Sequence, residues 1–410
     1  MKKILSLLIF LLLLFISCID EPPVLPGLTK SRIVFITDPD SISVMLNNDN
    51  LDKVTPFTID DLDPGFFKID LNRITYLDTS IYFVLKRNVS DTISIEMRED
   101  PPFWWEIYNT SNSEIPTNQV AEIEVDAANN KWITTRGSGL LKFDGTEFTV
   151  YNTANSGIPD DNLNDIFIEE NGILWVTTDN GFAKFDGTAW IVFNQQNLNL
   201  PDNIITCITK DKEGIYWLGT TNGGLLKFDG ADVTIYNYFN SGLPTNHVNT
   251  ITIDENNIKW IGTWGEGIAT LNGDKWEVYD KFDGLFSSFI SKIIQDQEGN
   301  KLIAAASSVI NSVLQPGALY KFDGISFSNL HSVYNELPGS TVMDIAFDEN
   351  QRLWLATDEG LARFDGNKVK IYNSANSGLP TNFVLSVAID LNQDKWVSTF
   401  GLGKYTGGKK

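Results

Sequence analysis

Seven side chains at one recurring place in this sequence have the chemistry of a ligand site: Arg136, Asp179, Asn222, Trp264, Glu266, Asp358 and Phe400. Each closely follows a segment of one type, such as Trp175-Val176-Thr177-Thr178 or Trp260-Ile261-Gly262-Thr263. The segment is constant and the side chains after it vary, which is how a specific site on a common scaffold reads. Carboxylates and a guanidinium bond hydroxyl groups, and aromatic faces stack on the apolar faces of sugar rings. The competing reading is ordinary polar loop composition with one exposed tryptophan. Asp179 and Asp358 would suit a glycosidase pair only a few ångströms apart. They sit in the second and sixth copies of a repeat, so they should face each other across a ring, which favours binding over acid–base work. His247 and His331 are the two histidines, in different copies and without metal-ligand spacing. His331 is expected to face solvent. Neither a Gly-rich phosphate loop nor a nucleophile elbow is present. No catalytic residue, metal or cofactor is therefore expected.

The elements that must position these residues come from the repeat. Lys142-Phe143-Asp144-Gly145 returns at Lys184–Gly187, Lys227–Gly230 and Lys321–Gly324, with variants ending at Gly273, Gly366 and Gly407. The closing glycines recur every 41 to 43 residues, except for one interval of 51 before Gly324. Each copy reads as four short strands separated by Gly, Asn and Asp turns, and so as one antiparallel sheet. A sheet repeated at this period around an axis makes a β-propeller. Trp132, Trp175, Trp217, Trp260, Trp354 and Trp396 hold one position in the second strand, with Leu302 in the fifth copy. They are read as packing between adjacent sheets. The seventh copy lacks a fourth strand. Trp105-Glu106-Ile107-Tyr108 matches the fourth strands elsewhere, so a strand over residues 103–109 is expected to close the ring and remove its open edges. The fold class is all-β: a seven-bladed propeller over 100–410, preceded by a small β-sandwich over 29–99. The excess in the fifth copy falls in residues 307–316, where it reads as a lid, a partner contact or cover for a unit without its Trp.

Charge limits the partners. There are 31 basic and 53 acidic residues, a net −22. A polyanion would be repelled, so no nucleic acid is expected as partner. Cys207 lies in an apolar run and reads as a small buried hydrophobe.

The amino terminus is a processing segment. Lys2-Lys3 precede a 13-residue apolar stretch, Ile4 to Ile16, too short for a comfortable membrane span. Phe15-Ile16-Ser17-Cys18 resembles a bacterial lipoprotein signal. The resemblance implies a signal peptide over 1–17, cleavage before Cys18 and lipidation of that residue. The alternative is an ordinary signal with an incidental Cys. Residues 18–28 form a Pro-rich tether. Ile19 rather than Asp after the Cys resembles outer-membrane sorting, and Asp20-Glu21 resembles the acidic pair of some surface-exported lipoproteins. The expected place is the outer membrane of a Gram-negative-type envelope, facing the periplasm or the cell surface.

Two further resemblances bear on function. Asp38-Pro39-Asp40, Val44-Met45-Leu46, Thr55-Pro56-Phe57-Thr58-Ile59 and Leu62-Asp63-Pro64-Gly65-Phe66-Phe67 resemble the PEGA domain, which implies a spacer or adhesion module. Gly242-Leu243-Pro244-Thr245-Asn246-His247-Val248, with Lys259-Trp260-Ile261-Gly262-Thr263 and Gly267, resemble the two-component regulator propeller repeat. That resemblance implies a periplasmic sensor propeller, many of them tuned to glycans. Residues after the propeller carry neither a membrane stretch nor a kinase region, so phosphotransfer is expected outside this polypeptide. Asp254 to Trp260 resembles a sialidase Asp-box but is one residue longer and lacks its Ser and Gly. It is read as a strand turn.

The expected function is non-enzymatic: a lipid-anchored envelope propeller recognising a glycan or a partner protein on the loop face of its channel. A polysaccharide-active hydrolase or lyase using that face is the first alternative, and a structural envelope component the second.

Overall fold

The computed structural model describes residues 31–38, 42–47, 49–72, 79–86, 89–96, 105–310, 313–334, 336–339, 341–366 and 368–405. The chain divides into two compact units, Met1–Asp100 and Pro101–Lys410. The expected signal peptide, Cys18 and the tether lie outside the described residues.

In the first unit, Ser31–Asp38 lies between Phe57–Leu62 and Ser90–Glu96, antiparallel to the former and parallel to the latter. A second sheet runs in the order Asp49–Val54, Ser43–Leu46, Gly65–Asn72, Thr79–Leu85. Alternation along the strands sends Ile33, Phe35, Val44, Ile69 and Leu71 into one shared core and leaves Arg32, Ile36 and Phe66 outside. Asp49–Val54 and Phe57–Leu62 are additional to the strands the sequence suggested. Neither carries a long apolar run, so neither stands out from its flanking turns.

Among the described residues of the second unit there are seven four-stranded antiparallel sheets. Their first strands are Val120–Val125, Leu163–Ile168, Ile205–Lys210, Val248–Ile253, Ile290–Gln295, Val342–Phe347 and Ser386–Ile389. Each packs beside the next, and the last packs beside the first, so these strands line a central axis. The seventh sheet takes its outer strand from the start of the unit: Trp105–Tyr108 pairs antiparallel with Gly401–Tyr405, Trp105 opposite Tyr405 and Tyr108 opposite Leu402. The ends of the unit are thereby tied together, as the missing fourth strand implied.

Local chemistry explains the recurring phrase. Asp144 accepts hydrogen bonds from the Thr146 and Glu147 amides at 2.8 and 2.9 Å, while Gly145 takes a φ of 104°. Asp186, Asp229 and Asp323 bind their own turns in the same way. The Asp fixes the turn between third and fourth strands, and Gly supplies the left-handed backbone.

The second-strand tryptophans are buried between sheets, at 1 to 7% exposure. Each donates its indole N–H to a carboxylate six residues earlier, at 2.8 to 3.0 Å: Trp132 to Asp126, Trp175 to Glu169, Trp217 to Asp211, Trp260 to Asp254, Trp354 to Asp348 and Trp396 to Asp390. The next sheet adds a lysine at several joints. Lys131 reaches Asp390 at 2.8 Å, Lys259 reaches Asp211 at 3.1 Å and Lys301 reaches Asp254 at 3.4 Å. The Asp254 turn that resembled an Asp-box is thus a tie between sheets. In the fifth sheet the extra residues form a small hairpin, Ser308–Ile310 against Val313–Gln315.

Deleting residues 103–110 removes the closing strand and opens an edge on the seventh sheet. The melting temperature should fall by about 10 °C or more. An unchanged melting curve by circular dichroism would show that closure contributes nothing.

Candidate functional site

The inner strands place one side chain each at the same level of the axis: Glu122, Asp165, Cys207, Thr250, Lys292, Asp344 and Ser386. A local register shift follows the first residue of six of these strands. Such a bulge re-aims the residues beside it. The residue just before each level bonds the neighbouring sheet where it is polar: Asn164 Nδ2 to Ile205 O, Thr206 Oγ1 to Val248 O, Asn249 Nδ2 to Ile290 O and Ser291 Oγ to Val342 O, at 2.6 to 2.9 Å. These bonds lock the inner ring.

Above this level lies a cavity of about 740 Å³. Its floor contains Glu122, Asp165, Lys292 and Asp344, and its rim contains Arg136, Trp264, Phe383 and Phe400. The rim aromatics are 43, 47 and 58% exposed, unlike the buried tryptophans of the sheets. Trp264 stacks on His247 at 5.9 Å and meets the edge of Phe289 at 5.0 Å, so its ring is held in place. Arg136 donates to Asn164, whose amide also donates to Asp179 at 3.1 Å.

Of the residues the sequence singled out, Arg136, Trp264 and Phe400 come together on this cavity. Asp179 stands behind the rim as a partner of Asn164. Asp358 accepts from the Thr341 amide at 3.2 Å and fastens its loop. Asn222 and Glu266 are exposed and do not line the cavity. Their backbone amides donate to Asp202 Oδ2 and Thr263 Oγ1. The recurrent Asn residues between sheets are structural: Asn118, Asn203, Asn246 and Asn382 each accept from an amide eight residues earlier. His331 is not solvent-facing. It is half-buried, and its Nδ1 accepts from the Leu319 amide at 3.1 Å, because a short helical turn over Leu330–Val333 folds it back on the sheet. Burial lowers the pKa of both histidines. Cys207 is buried, packs with Trp217, Val248 and Ile261, and also borders the cavity. Burial pushes its thiol up to about 12.

The floor is what sequence reading missed. Lys292 sits 2.8 Å from Glu122 and 3.7 Å from Asp344. Burial opposes its charge, but Glu122, Asp344 and Asp165 hold the ammonium well above its ordinary pKa. Burial raises Glu122 to about 8. Lys292 pulls it back, and Asp344 and Asp165 push it further up. Glu124, farther along the same strand, is raised to about 7, chiefly by burial. Asp165 is raised too, again first by burial, although it accepts the Ile208 amide at 2.8 Å. One ammonium is shared among several carboxylates that solvent reaches poorly. The available signal was a charged residue at one register position of otherwise apolar first strands, such as Ile290-Ser291-Lys292-Ile293. Among the described residues no group of three or more His, Cys, Asp or Glu is arranged to hold a metal ion, and no helix is long and apolar enough to cross a membrane.

Residues 199–222 match the two component regulator propeller family. Solved structures share the fold. The extracellular domain assigned to the hybrid two component system BT3049 of B. thetaiotaomicron superposes with a TM-score of 0.63 at 17% identity, over 87% of this chain and 53% of that one. The extracellular domain assigned to the one component system BT4673 of the same organism gives 0.57 at 18% identity, over 73% of this chain and 39% of that one. This chain therefore spans about half or less of those two. Virginiamycin B lyase of Staphylococcus aureus gives 0.55 at 15% identity, over 73% of this chain and 98% of that one. No curated protein matches. At these identities the likeness is one of fold.

Glu122 and Glu124 tie stability to pH. Their folded pKa values lie above the ordinary 4.5, so their contribution is present in acid and is lost as pH rises through about 7 to 8. The urea midpoint should fall between about pH 5 and pH 8.5, by on the order of 2 kcal/mol in stability. Glu124→Gln should flatten that slope, and an equal slope in the variant would refute the assignment.

Proposed function

We propose that this chain is a lipid-anchored envelope protein whose second unit is a seven-bladed propeller that senses or captures a glycan at the mouth of its channel. The carrying observation is the cavity with Trp264, Phe383 and Phe400 exposed at its rim beside Arg136. Exposed rings held at fixed angles on rigid sheets offer stacking platforms at low entropic cost. Arg136 and the charged floor supply donors and acceptors for hydroxyl groups. The fold neighbours from sensor systems support a sensing role, and the fold neighbour that is a lyase keeps a depolymerising activity as the second reading. In this reading the first unit is a PEGA-like spacer between membrane and propeller. The lipid is carried by Cys18, with the propeller facing the periplasm or the cell surface.

Purified chain titrated against a glycan panel should bind at least one polysaccharide. Trp264→Ala and Phe400→Ala should each weaken that binding by about tenfold or more, equivalent to about 1.4 kcal/mol. Silence on every glycan, with capture of an envelope protein instead, would replace the glycan with a protein partner. Release of shortened products would make the chain a hydrolase or lyase.

Cys18→Ser should move the protein from the detergent-extracted membrane fraction to the soluble fraction. A variant that stays with the membrane would rule out the lipid anchor.

A further inference from the structure

The sheets supply their own control for what belongs between them. In six of seven, a second-strand indole fills the joint with the following sheet, and in the fifth, Leu302 takes its place. The rest of the seat is still built. Asp296 accepts the Glu298 and Asn300 amides at 2.9 and 2.8 Å and the Asn300 side chain at 2.8 Å. Asp126 makes the same three bonds in the first sheet, and its Oδ2 takes the Trp132 indole N–H besides. Asp296 has the same acceptor and no indole.

A second part of the seat is also present. The lysine that opens the recurring phrase stands over the tryptophan of its own sheet. Lys142, Lys184, Lys227 and Lys404 lie 5.3, 5.6, 6.0 and 5.5 Å from those ring centres. Lys321 is their counterpart, and with no ring beneath it leans to Asp296 and Glu298, each at 3.7 Å. The following sheet does not fill the space. Lys131, Lys259, Lys301 and Lys395 precede the Trp position in four sheets, whereas Leu353 precedes Trp354, as Leu174 precedes Trp175.

The result is a cavity of about 440 Å³ between the fifth and sixth sheets. Leu302, Leu330, Tyr334, Phe347, Leu353 and Phe364 form its apolar wall, with Asp296 and Lys321 at its polar side. An apolar cavity of this size can take a free ring. The acceptor favours a ring that carries a donor, which would add at Asp296 the bond that the Trp132 indole makes at Asp126 Oδ2 beside the Asn130 side chain. The cation above favours an electron-rich face.

We propose that this cavity is a binding site for a small, flat heteroaromatic molecule with a ring N–H, of the indole class. The molecule sits where six other sheets hold their own indole, donates its N–H to Asp296 and lies beneath Lys321. This site is independent of the channel mouth.

The test is calorimetric titration of the whole chain with indole and with N-methylindole. One saturable site per chain is expected for indole, and N-methylindole should bind at least fivefold more weakly, since it lacks the donor. Leu302→Trp should abolish indole binding and raise the melting temperature. Absence of saturable binding, equal affinity for the two compounds, or indole binding retained by folded Leu302→Trp would each overturn the proposal. So would loss of indole binding in Trp264→Ala, which would send the ring to the channel mouth. The comparison of the two compounds uses the unaltered protein and decides the matter even if Leu302→Trp does not fold.

Discussion

A carboxylate in the turn before the second strand ties indole and turn together in six of the seven sheets, and at several joints it reaches the next sheet. Asp254 shows the full arrangement. It accepts two amides of its own turn, the indole N–H of Trp260 in its own sheet and the ammonium of Lys301 from the next. Lys301 also stands 5.0 Å from the Trp260 ring centre. Turn, strand and neighbour are thereby fixed by a single side chain. Hydrogen bonds from the Trp260 indole and the turn amides keep this Asp ionised below its ordinary pKa despite burial. Buried ion pairs contribute little net stability when complete, yet losing one partner costs about 3 to 5 kcal/mol. The arrangement therefore specifies how each sheet seats on the next, while the buried tryptophan area supplies most of the cohesion.

The joints depart from this pattern in instructive ways. Between the second and third sheets a Glu, Glu169, replaces the Asp, and Lys210 and the Tyr216 hydroxyl of the third sheet reach it at 2.6 and 2.7 Å. The longer acid accepts partners from another strand position, and the joint stays filled. Between the fifth and sixth sheets Leu302 stands where the other sheets have the indole, and a cavity lies beside it. The scaffold tolerates one unfilled joint because six others and the strand at Trp105–Tyr108 keep the ring closed.

Along the axis a second constraint operates. The inner strands must present something toward the channel, and seven apolar side chains at one level would leave nothing to bind water or a ligand. Lys292 and its carboxylates occupy that level instead. Their cost of burial is offset by mutual attraction and by the raised pKa of Glu122. The aromatic rim above them is anchored to the same rigid frame through the backbone bridges of Phe400 with Gln119 and of Trp264 with Phe289.

By itself the sequence determined the repeat, its four-strand unit, the turn chemistry of Asp and Gly, and the closing strand at Trp105–Tyr108. These are local or periodic properties, and each copy repeats the evidence. It also placed Arg136, Trp264 and Phe400 on one face, because they follow the same strand in the first, fourth and seventh copies. Only the tertiary structure decided that Lys292 meets Glu122, 170 residues away, across the axis. The same holds for Asp179 and Asp358, which serve their loops, and for the space left beside Leu302. Those facts depend on which sheets meet and on how far each side chain reaches across the gap. A linear pattern carries the period of such contacts, and the ring alone fixes their distance.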